Sequence, residues 1–206
     1  MATYARLLRS ALDRVEDNRT RVVVQVGHCS QAVGAREVAD ALRSSLAGRS
    51  DVHLVATGCD GACFAAPQVL VVHPSGETQR FTRVTAEDAE LLEGTLPRAD
   101  SPTRSNDWAG GSDHTPQVVQ FLAGQHRLLL TRCGVIDPAS LDEYLAVGGY
   151  QGLDNALSMP GEQVIDTVLE SGLLGRGGAY FPAAQKWRAA RAAGGSQRYM
   201  VVNAEE

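Results

Sequence analysis

The stretch Ser171-Gly172-Leu173-Leu174-Gly175-Arg176-Gly177-Gly178-Ala179-Tyr180-Phe181-Pro182 places four glycines within seven residues, between two segments of helical pattern. Because glycine has no Cβ and adopts positive φ readily, the peptide N–H groups of such a loop can approach an anion or a flat ring closely. Arg176 and Lys186 bracket the loop with positive charge, and a helix is predicted to begin at Ala183. This chemistry predicts a nucleotide- or flavin-phosphate loop, with a flexible turn between helices as the alternative.

Two common phosphate-binding motifs are excluded by the order of the residues. No Gly-Lys-Ser/Thr closes the loop as in a Walker A motif, and Gly175, Gly177 and Gly178 do not form G-x-G-x-x-G.

The residues around the loop resemble the flavoprotein subunit of respiratory complex I and the diaphorase subunits of NAD-linked hydrogenases and formate dehydrogenases. The family pattern reads G-R-G-G-A-G-F-P, then K-W, then a strand ending in N-A-D-E. This chain has Gly175 to Pro182, Lys186-Trp187 and Asn203 to Glu206 at matching spacing. The run from Cys133 to Tyr150, with C-G-x-I-D-P and G-G-Y, resembles the same family.

That resemblance implies FMN and NAD(H) as cofactors and assigns roles to particular residues. It implies a cradle for the flavin phosphate and ribityl chain made by Gly175, Arg176, Gly177, Gly178 and Lys186, with Phe181 lining the pocket. It further implies that Asn203 and Glu205 hydrogen-bond the flavin side, while Glu206, the predicted catalytic residue, faces NADH. The chain departs from the family at Tyr180, where the family has glycine, and at Glu205, where it has aspartate.

The N-terminal half has the alternating pattern of a small α/β layer. An amphipathic helix is predicted within Met1 to Asp17. After it, residues 21 to 95 predict the order β-α-β-β-β-α, which suggests a thioredoxin-like fold. The predicted elements are strands at Arg21 to Gly27 and Val52 to Ala56, a helix at Ala35 to Leu46, a hairpin formed by Gln68 to His73 and Thr78 to Val84, and a closing helix capped by Thr85.

Three cysteines fall in loops just after the strands of this layer. Cys29 follows the first strand, and Cys59 and Cys63 follow the second as Cys-x3-Cys. In a cytosolic chain such cysteines favour metal or redox chemistry over a structural disulfide, and the x3 spacing favours iron–sulfur over zinc. The motif resembles the thioredoxin-like 2Fe-2S ferredoxin subunit that partners the flavoprotein in complex I. The three cysteines are therefore the predicted metal ligands.

The ligand set departs from that of the ferredoxin family, which uses C-x4-C as well as C-x3-C. With four residues in between, the partner of Cys29 would fall at position 34, which is a glycine, and Gly27 is the other position at which a cysteine is missing. Either an unusual ligand such as His28 or Ser30 completes a 2Fe-2S cluster, or the cluster is lost and the cysteines are small residues of a scaffold. The resemblance of the run from Cys133 to Tyr150 to the flavoprotein family implies that Cys133 is structural. It is expected to be dispensable for a cluster, because a linker and a separate fold are expected to stand between it and the other thiols.

The sequence predicts two domains. Residues 1–96 form the ferredoxin-type domain, 97–115 a linker rich in Pro, Gly and Ser, and 116–206 an incomplete FMN/NADH-binding domain. In the second domain we predict a strand at Gln120 to Arg132 and helices at Leu141 to Val147, at Gln151 to Leu157 and from Pro160 onward.

Composition narrows the class of protein. The 206 residues are 44% hydrophobic with a net charge of −5, which gives no indication of nucleic-acid binding, and no apolar run is long enough to span a bilayer. The first residues lack the apolar core of a secretory signal. We therefore predict a cytoplasmic protein, peripheral to a membrane complex if it belongs to one.

Taken with the resemblance, these patterns predict the N-terminal portion of an NADH dehydrogenase (diaphorase) subunit that passes electrons between NAD(H), FMN and iron–sulfur centres. Its expected partners are other subunits of a redox complex of the quinone-reducing, hydrogenase or formate dehydrogenase type. In the family, N-A-D-E opens a longer segment that completes the cofactor sites, so a fragment inactive on its own is expected. The alternative is a non-catalytic docking module with a degenerate cluster site.

Overall fold

The computed structural model describes residues 2–15, 18–96, 115–197, 199 and 201. The chain divides into two compact units, one formed by residues 6–148 and the other by residues 149–206 together with 1–5. The predicted linker at 97–115 falls outside the described residues except at its last position, so the predicted domain boundaries stay a prediction.

A four-stranded mixed sheet forms the centre of the first unit, in the order β2-β1-β3-β4. Its strands are β1 (Thr20–Gln25), β2 (Val52–Thr57), β3 (Gln68–Val72) and β4 (Thr78–Thr82). β1 runs parallel to β2, with Thr20 opposite Val52, and antiparallel to β3, while β3 and β4 form the predicted hairpin. β1 and β3 are the two inner strands of the sheet. The valine-rich β1 is accordingly buried along most of its length.

Helices lie before, between and after the strands of this unit. They are α1 (Ala2–Val15), which begins in the second unit, α2 (His28–Gln31), α3 (Ala35–Ser45), α4 (Asp88–Thr95), α5 (Thr115–Ala123) and α6 (Leu141–Ala146). Val38 and Leu42 of α3 and Leu92 of α4 pack with Val22 and Val71 in one buried cluster. The predicted order β-α-β-β-β-α is confirmed, and it makes the unit a mixed α/β fold. The short α2 was not predicted.

The predicted cap of α4 by Thr85 is wrong, because the helix begins at Asp88 and its N-cap is Glu87, which makes no side-chain cap hydrogen bond. The Thr85 N–H and hydroxyl both donate to Asp88 Oδ2, at 2.8 and 3.1 Å. The carboxylate thus satisfies a backbone donor ahead of the helix, although the helix itself begins at Asp88.

The predicted strand at Gln120 to Arg132 is wrong. Its first part belongs to helix α5, which ends at Ala123, and residues 128–135 form turns. Val118, Phe121 and Leu122 have helical i, i+3, i+4 spacing, and they pack on Ala62 and Ala65 beside the cysteine-bearing segment. The leucine run at 128–130, on which the strand prediction rested, lies outside this cluster and is exposed.

The second unit carries the three helices predicted there from sequence. They are α7 (Gln151–Leu157), α8 (Gly161–Glu170), which begins just after Pro160, and α9 (Ala183–Ala192). A Cβ at Gly161 would lie 2.7 Å from Arg191 Nη1, the far end of a flexible and exposed side chain that would have to shift. Among the helices in the described residues, none is long and apolar enough to cross a bilayer.

Candidate functional site: a glycine loop and a cysteine loop

The glycine loop between α8 and α9 is closed by backbone hydrogen bonds. The Gly175 N–H donates to the Phe181 carbonyl at 2.8 Å, and the Ala183 N–H donates to the Leu173 carbonyl at 3.0 Å. These bonds surround an antiparallel bridge between residues 174 and 182. Residues 175–181 therefore form a pinned loop, which disfavours the interpretation as a flexible turn.

One of the loop glycines has a clear physical reason to be glycine. Gly178 has a φ of +99°, whereas a Cβ on Gly175 would make an ordinary contact of 3.4 Å with the Phe181 carbonyl oxygen. At Gly177, by contrast, an added Cβ would meet nothing within 4 Å among the described residues. The backbone at 177 and 178 consequently borders open space that a ligand can enter.

The basic residues in this region fall into two groups. Arg188 donates to Asp166 at 2.6 Å, and Arg191 lies 3.3 Å from Glu162, so both are paired across α8 and α9. Lys186 instead holds its ammonium 5.8 Å from the centre of the Phe181 ring. Within the described part of the chain, neither Lys186 nor Arg176 has an acidic partner, and both are exposed. Among the described residues, these are two positive charges without an acidic partner beside the loop.

The N-terminus of α9 offers an anion fewer free N–H groups than its position beside the loop suggests. Of its first three N–H groups, that of Ala183 bonds to Leu173 and that of Gln185 bonds to Pro182 at 3.2 Å. An anion at this loop would therefore rely on the two cations and on the loop's own N–H groups.

Tyr180 adopts a backbone conformation that suits glycine. Its φ is +50°, in the left-handed region, and its side chain is 63% exposed. The family pattern has glycine at this position, so the chain keeps the glycine-like backbone while carrying a tyrosine ring.

The remaining flavin-site predictions lie outside the described residues. These are Asn203, Glu205 and the predicted catalytic Glu206. The described part of the loop fits a flavin phosphate on two counts: it offers open backbone at glycines 177 and 178, and two cations without acidic partners.

The cysteine loop lies at the ends of β1 and β2. Cys29 lies in α2 after β1, Cys59 follows β2, and Cys63 opens a 3-10 turn that ends at Ala65. The Cys59 and Cys63 sulfurs are 3.7 Å apart, and the Gly61 N–H donates to Cys59 Sγ at 3.2 Å. The hydrogen bond to Cys59 and then burial raise the pKa of the Cys63 thiol, while the nearby Cys29 side chain acts in the opposite direction. The structure thus brings Cys59 and Cys63 into contact, with the Cys29 side chain near Cys63.

A buried polar network underlies this loop, and the sequence analysis missed it. The Arg80 guanidinium donates to Asp60 Oδ2 at 2.8 Å and to Gln68 Oε1 at 2.6 Å. The Gln68 amide in turn donates to Gln25 Oε1 at 3.2 Å and to the Ala62 carbonyl at 3.1 Å. Glutamines 25 and 68 border valine-rich strand runs, and those polar interruptions were the signal that could have revealed the network.

Burial acts to raise the pKa of the Asp60 carboxyl group. It is outweighed by the neighbouring Gln25 side chain, the Ala62 N–H and the Arg80 guanidinium, so the pKa lies below its ordinary value. Asp60 is therefore held as a carboxylate between the two cysteines of the Cys-x3-Cys motif.

The expectation that a separate fold stands between Cys133 and the other cysteines is wrong. The segment that carries Cys133 belongs to the same compact unit, and the N–H of Gly134 donates to Thr57 Oγ1 at 3.3 Å. Leu130 also reaches the cysteine loop, since a Cβ on Gly61 would lie 4.0 Å from its Cδ1. Cys133 is a half-buried free cysteine.

The residues present do not complete a four-thiolate set. Within the described ranges, no group of three or more His, Cys, Asp or Glu side chains is arranged to hold a metal ion. Gly34 offers no side chain, and the buried Ser30 hydroxyl is occupied by the Gly27 carbonyl and N–H, at 2.9 and 2.7 Å. A 2Fe-2S cluster therefore does not fit as a four-thiolate centre, and ligation by the three cysteines stays a prediction.

Comparison with known proteins finds similarity to subunits of oxidoreductases. No family model matches the chain. The chain is 49% identical over 82 residues to the HndC subunit of the NADP-reducing hydrogenase of Solidesulfovibrio fructosivorans, covering 40% of this chain and 17% of that protein. It is 48% identical over 79 residues to an NADH-quinone oxidoreductase subunit of Aquifex aeolicus, covering 38% of this chain and 18% of that protein.

A third relative is the alpha subunit of the NAD-reducing hydrogenase HoxS of Cupriavidus necator, 48% identical over 54 residues, with 26% of this chain and 9% of that protein covered. The chain thus spans less than a fifth of the length of these curated relatives. All three are named as subunits of oxidoreductases, and this chain is similar to them over up to two fifths of its length.

Proposed function

We propose that this chain is a segment of an NADH dehydrogenase (diaphorase)-type subunit, in which the loop at residues 171–187 binds FMN. The observation that carries this proposal is a pinned glycine loop bordered by Arg176 and Lys186, two cations without an acidic partner in the part of the chain described. The similarity to NAD(P)-linked oxidoreductase subunits supports the same conclusion.

In this proposal the chain's own residues bind and orient the flavin. Lys186 and Arg176 neutralise the phosphate, and the backbone at Gly177 and Gly178 lets it approach closely. Phe181, with the Lys186 ammonium near its ring, lines the pocket. When bound, FMN accepts hydride equivalents from NAD(H) and releases electrons singly to iron–sulfur centres.

Further roles extend this proposal to residues 203–206. Asn203 and Glu205 hydrogen-bond the flavin side, and Glu206 faces NAD(H). These roles rest on the matching spacing of the family pattern.

The first unit, in this proposal, is a thioredoxin-like ferredoxin-type domain fused ahead of the flavin loop. Its sheet order and the cysteines at the ends of β1 and β2 support this identification. The partners are other subunits of a cytoplasmic or membrane-peripheral redox complex, of the hydrogenase, formate dehydrogenase or quinone-reducing type.

Flavin content tests the proposal directly. The native protein that contains this sequence is purified, reconstituted with FMN and assayed for flavin absorbance and for NADH oxidation with an artificial acceptor. We expect both flavin and activity. Protein that stays colourless after reconstitution would contradict the proposal.

One observation favours the second candidate function, a docking module. Leu128 and Leu129 are 76% and 97% exposed, in the turn segment beside the cysteine loop. Leu129→Glu should release partner subunits of the complex during co-purification while leaving flavin content unchanged. If the complex stays intact, this apolar run is not the docking surface.

A further inference from the structure

Phe181 is fixed in place by the hydrogen bonds that close the glycine loop. Its carbonyl accepts the Gly175 N–H at 2.8 Å, and the next residue, Pro182, forms the antiparallel bridge with Leu174. The Phe181 side chain is 46% exposed, so about half of it remains accessible. The closed backbone therefore holds an aromatic ring at the end of the loop, where a ligand of the loop can come near it.

The ammonium of Lys186, the fourth residue of helix α9, lies near this ring. Its Nζ atom is 5.8 Å from the ring centre, within the range of a cation–π contact. Such a contact differs from a salt bridge, because the ring attracts the cation without cancelling its charge. Arg188, two residues on, shows the opposite arrangement, since its guanidinium lies 2.6 Å from the Asp166 carboxylate. Among the described residues, Lys186 thus has an aromatic contact in place of an acidic partner.

The ring contact has a consequence for the binding of an anion. A lysine side chain is long and flexible, and fixing it on a ligand costs conformational entropy. A ring that already restricts the ammonium lowers this cost. Because the ring carries no net charge, the full charge of the lysine stays available to a phosphate.

We propose that Phe181 is a positioning residue, which holds the Lys186 ammonium beside the glycine loop so that the lysine meets the phosphate of the flavin. The inference rests on the proposed function, in which this loop binds FMN. It gives the ring a role beyond that of a pocket wall. A wall contacts the flavin itself and acts on every flavin equally. A positioning ring acts through Lys186 and therefore matters only for a ligand that carries the phosphate.

Comparison of FMN with riboflavin separates these two roles, because riboflavin is the same flavin without the phosphate. The native protein that contains this sequence is freed of flavin and titrated with each ligand by fluorescence. Phe181→Leu keeps an apolar side chain but removes the ring. We expect it to lower the ratio of FMN affinity to riboflavin affinity about two- to fivefold, the effect of one exposed cation–π contact. Phe181→Tyr keeps the ring and should keep the ratio.

Inorganic phosphate gives a second measurement of the same effect. It competes with FMN for the cations of the loop and has no ring that could touch a pocket wall. Phe181→Leu should therefore weaken the inhibition of FMN binding by phosphate by the same two- to fivefold factor. Phe181→Tyr should leave this inhibition unchanged.

The dependence on the lysine is tested by a double-mutant cycle. Lys186→Ala removes the cation that the ring holds, so adding Phe181→Leu to it should change the affinity ratio no further. If the unaltered protein binds no FMN, the proposed function fails and this inference fails with it. If the unaltered protein binds FMN, two results overturn the inference alone: an unchanged ratio in Phe181→Leu, or an equal fall of the ratio in the Lys186→Ala background.

Discussion

Arg80 Nη1 lies 2.8 Å from Asp60 Oδ2, and this ion pair joins strand β4 to the loop that carries Cys59 and Cys63. The Asp60 side chain is 2% exposed and that of Arg80 15%. A charge pair this deeply buried cannot lose one partner without leaving the other unsolvated. The pair therefore fixes the base of the cysteine loop.

Removal of the Arg80 charge should strongly destabilise the first unit. Arg80→Met keeps the length of the side chain but leaves the Asp60 carboxylate buried without a countercharge. We expect a loss of about 3–5 kcal/mol in the free energy of unfolding, measured by urea denaturation followed by circular dichroism. Arg43→Met is the control, since Arg43 pairs with Asp40 on the surface, where both side chains are more than 60% exposed. Arg43→Met should lower the free energy of unfolding by less than about 1 kcal/mol. Equal losses for the two variants would show that the buried pair with Asp60 adds no more stability than a surface pair.

The same carboxylate predicts a loss of stability in acid. The pKa of Asp60 lies below its ordinary value of 3.8, so protons bind more weakly in the folded state than in the unfolded one. The stability it contributes is complete above the unfolded pKa and is lost as the pH falls through the folded pKa. Unfolding measured between pH 2 and pH 7 should therefore show a decline below about pH 4.

Asp60→Asn isolates this contribution. The pKa values of Asp142 and Glu87 are also lowered, by the hydrogen bond from Arg14 and by hydrogen bonds at the start of α4, and both remain in the variant. The stability of the variant should decline less steeply below pH 4 than that of the unaltered chain. Parallel curves would assign the acid sensitivity to the other carboxylates.

Much of the first unit could be predicted because its hydrophobic periodicity is local. The valine runs around β1 and β3 and the 3.6-residue period of α3 each indicate one structure without knowledge of the rest. The helix α5 could not be predicted in this way. Its apolar face packs against Ala62 and Phe64, which lie more than 50 positions away in the sequence. Phe121 packs edge-on against Phe64, with ring centres 5.4 Å apart.

The site was predicted unevenly for the same reason. The glycine loop is a contiguous motif whose closed geometry forms between neighbouring residues, and its role as a phosphate loop stays a prediction. The network of Asp60, Arg80 and Gln68 joins residues from three separate segments of the chain. The hydrogen bond from Gly134, next to Cys133, to Thr57 joins two further segments. No local sequence pattern indicates these long-range contacts, so they are seen only in the folded structure.

Lys186 and Arg188 should differ in their effect on flavin affinity. Lys186→Ala removes a cation without an acidic partner among the described residues, and we expect it to weaken FMN binding about ten- to a hundredfold, equivalent to about 1.5–3 kcal/mol. Arg188→Ala removes a cation that is already paired with Asp166, and it should leave the affinity nearly unchanged. Fluorescence titration of the native protein with FMN measures both. Equal effects would show that general charge, and not the loop, governs binding.

Substitutions at Tyr180 should show that its left-handed backbone conformation favours glycine over other residues. At a φ of +50°, alanine keeps the left-handed strain that glycine relieves. Tyr180→Gly should therefore be about 1 kcal/mol more stable than Tyr180→Ala in thermal or urea unfolding. If the exposed ring also crowds the flavin space, Tyr180→Gly will bind FMN more tightly than the unaltered protein. Equal stability of the two variants would contradict the left-handed conformation.

The missing fourth thiol can be restored at Gly34. A side chain there would meet only the Glu37 carboxylate, at 3.9 Å, among the described atoms, so space is available. The φ of +96° disfavours a cysteine, at a cost of about 1–2 kcal/mol, which is small beside the bonds that an iron–sulfur cluster forms. After anaerobic reconstitution of the full chain, Gly34→Cys should hold about two irons and two sulfides, while the unaltered chain should hold far less. Gly48→Cys, which adds a thiol at a distant glycine of similar φ, is the control and should gain none. If Gly34→Cys and Gly48→Cys load equally little iron, the cysteine loop does not have the geometry of a cluster site.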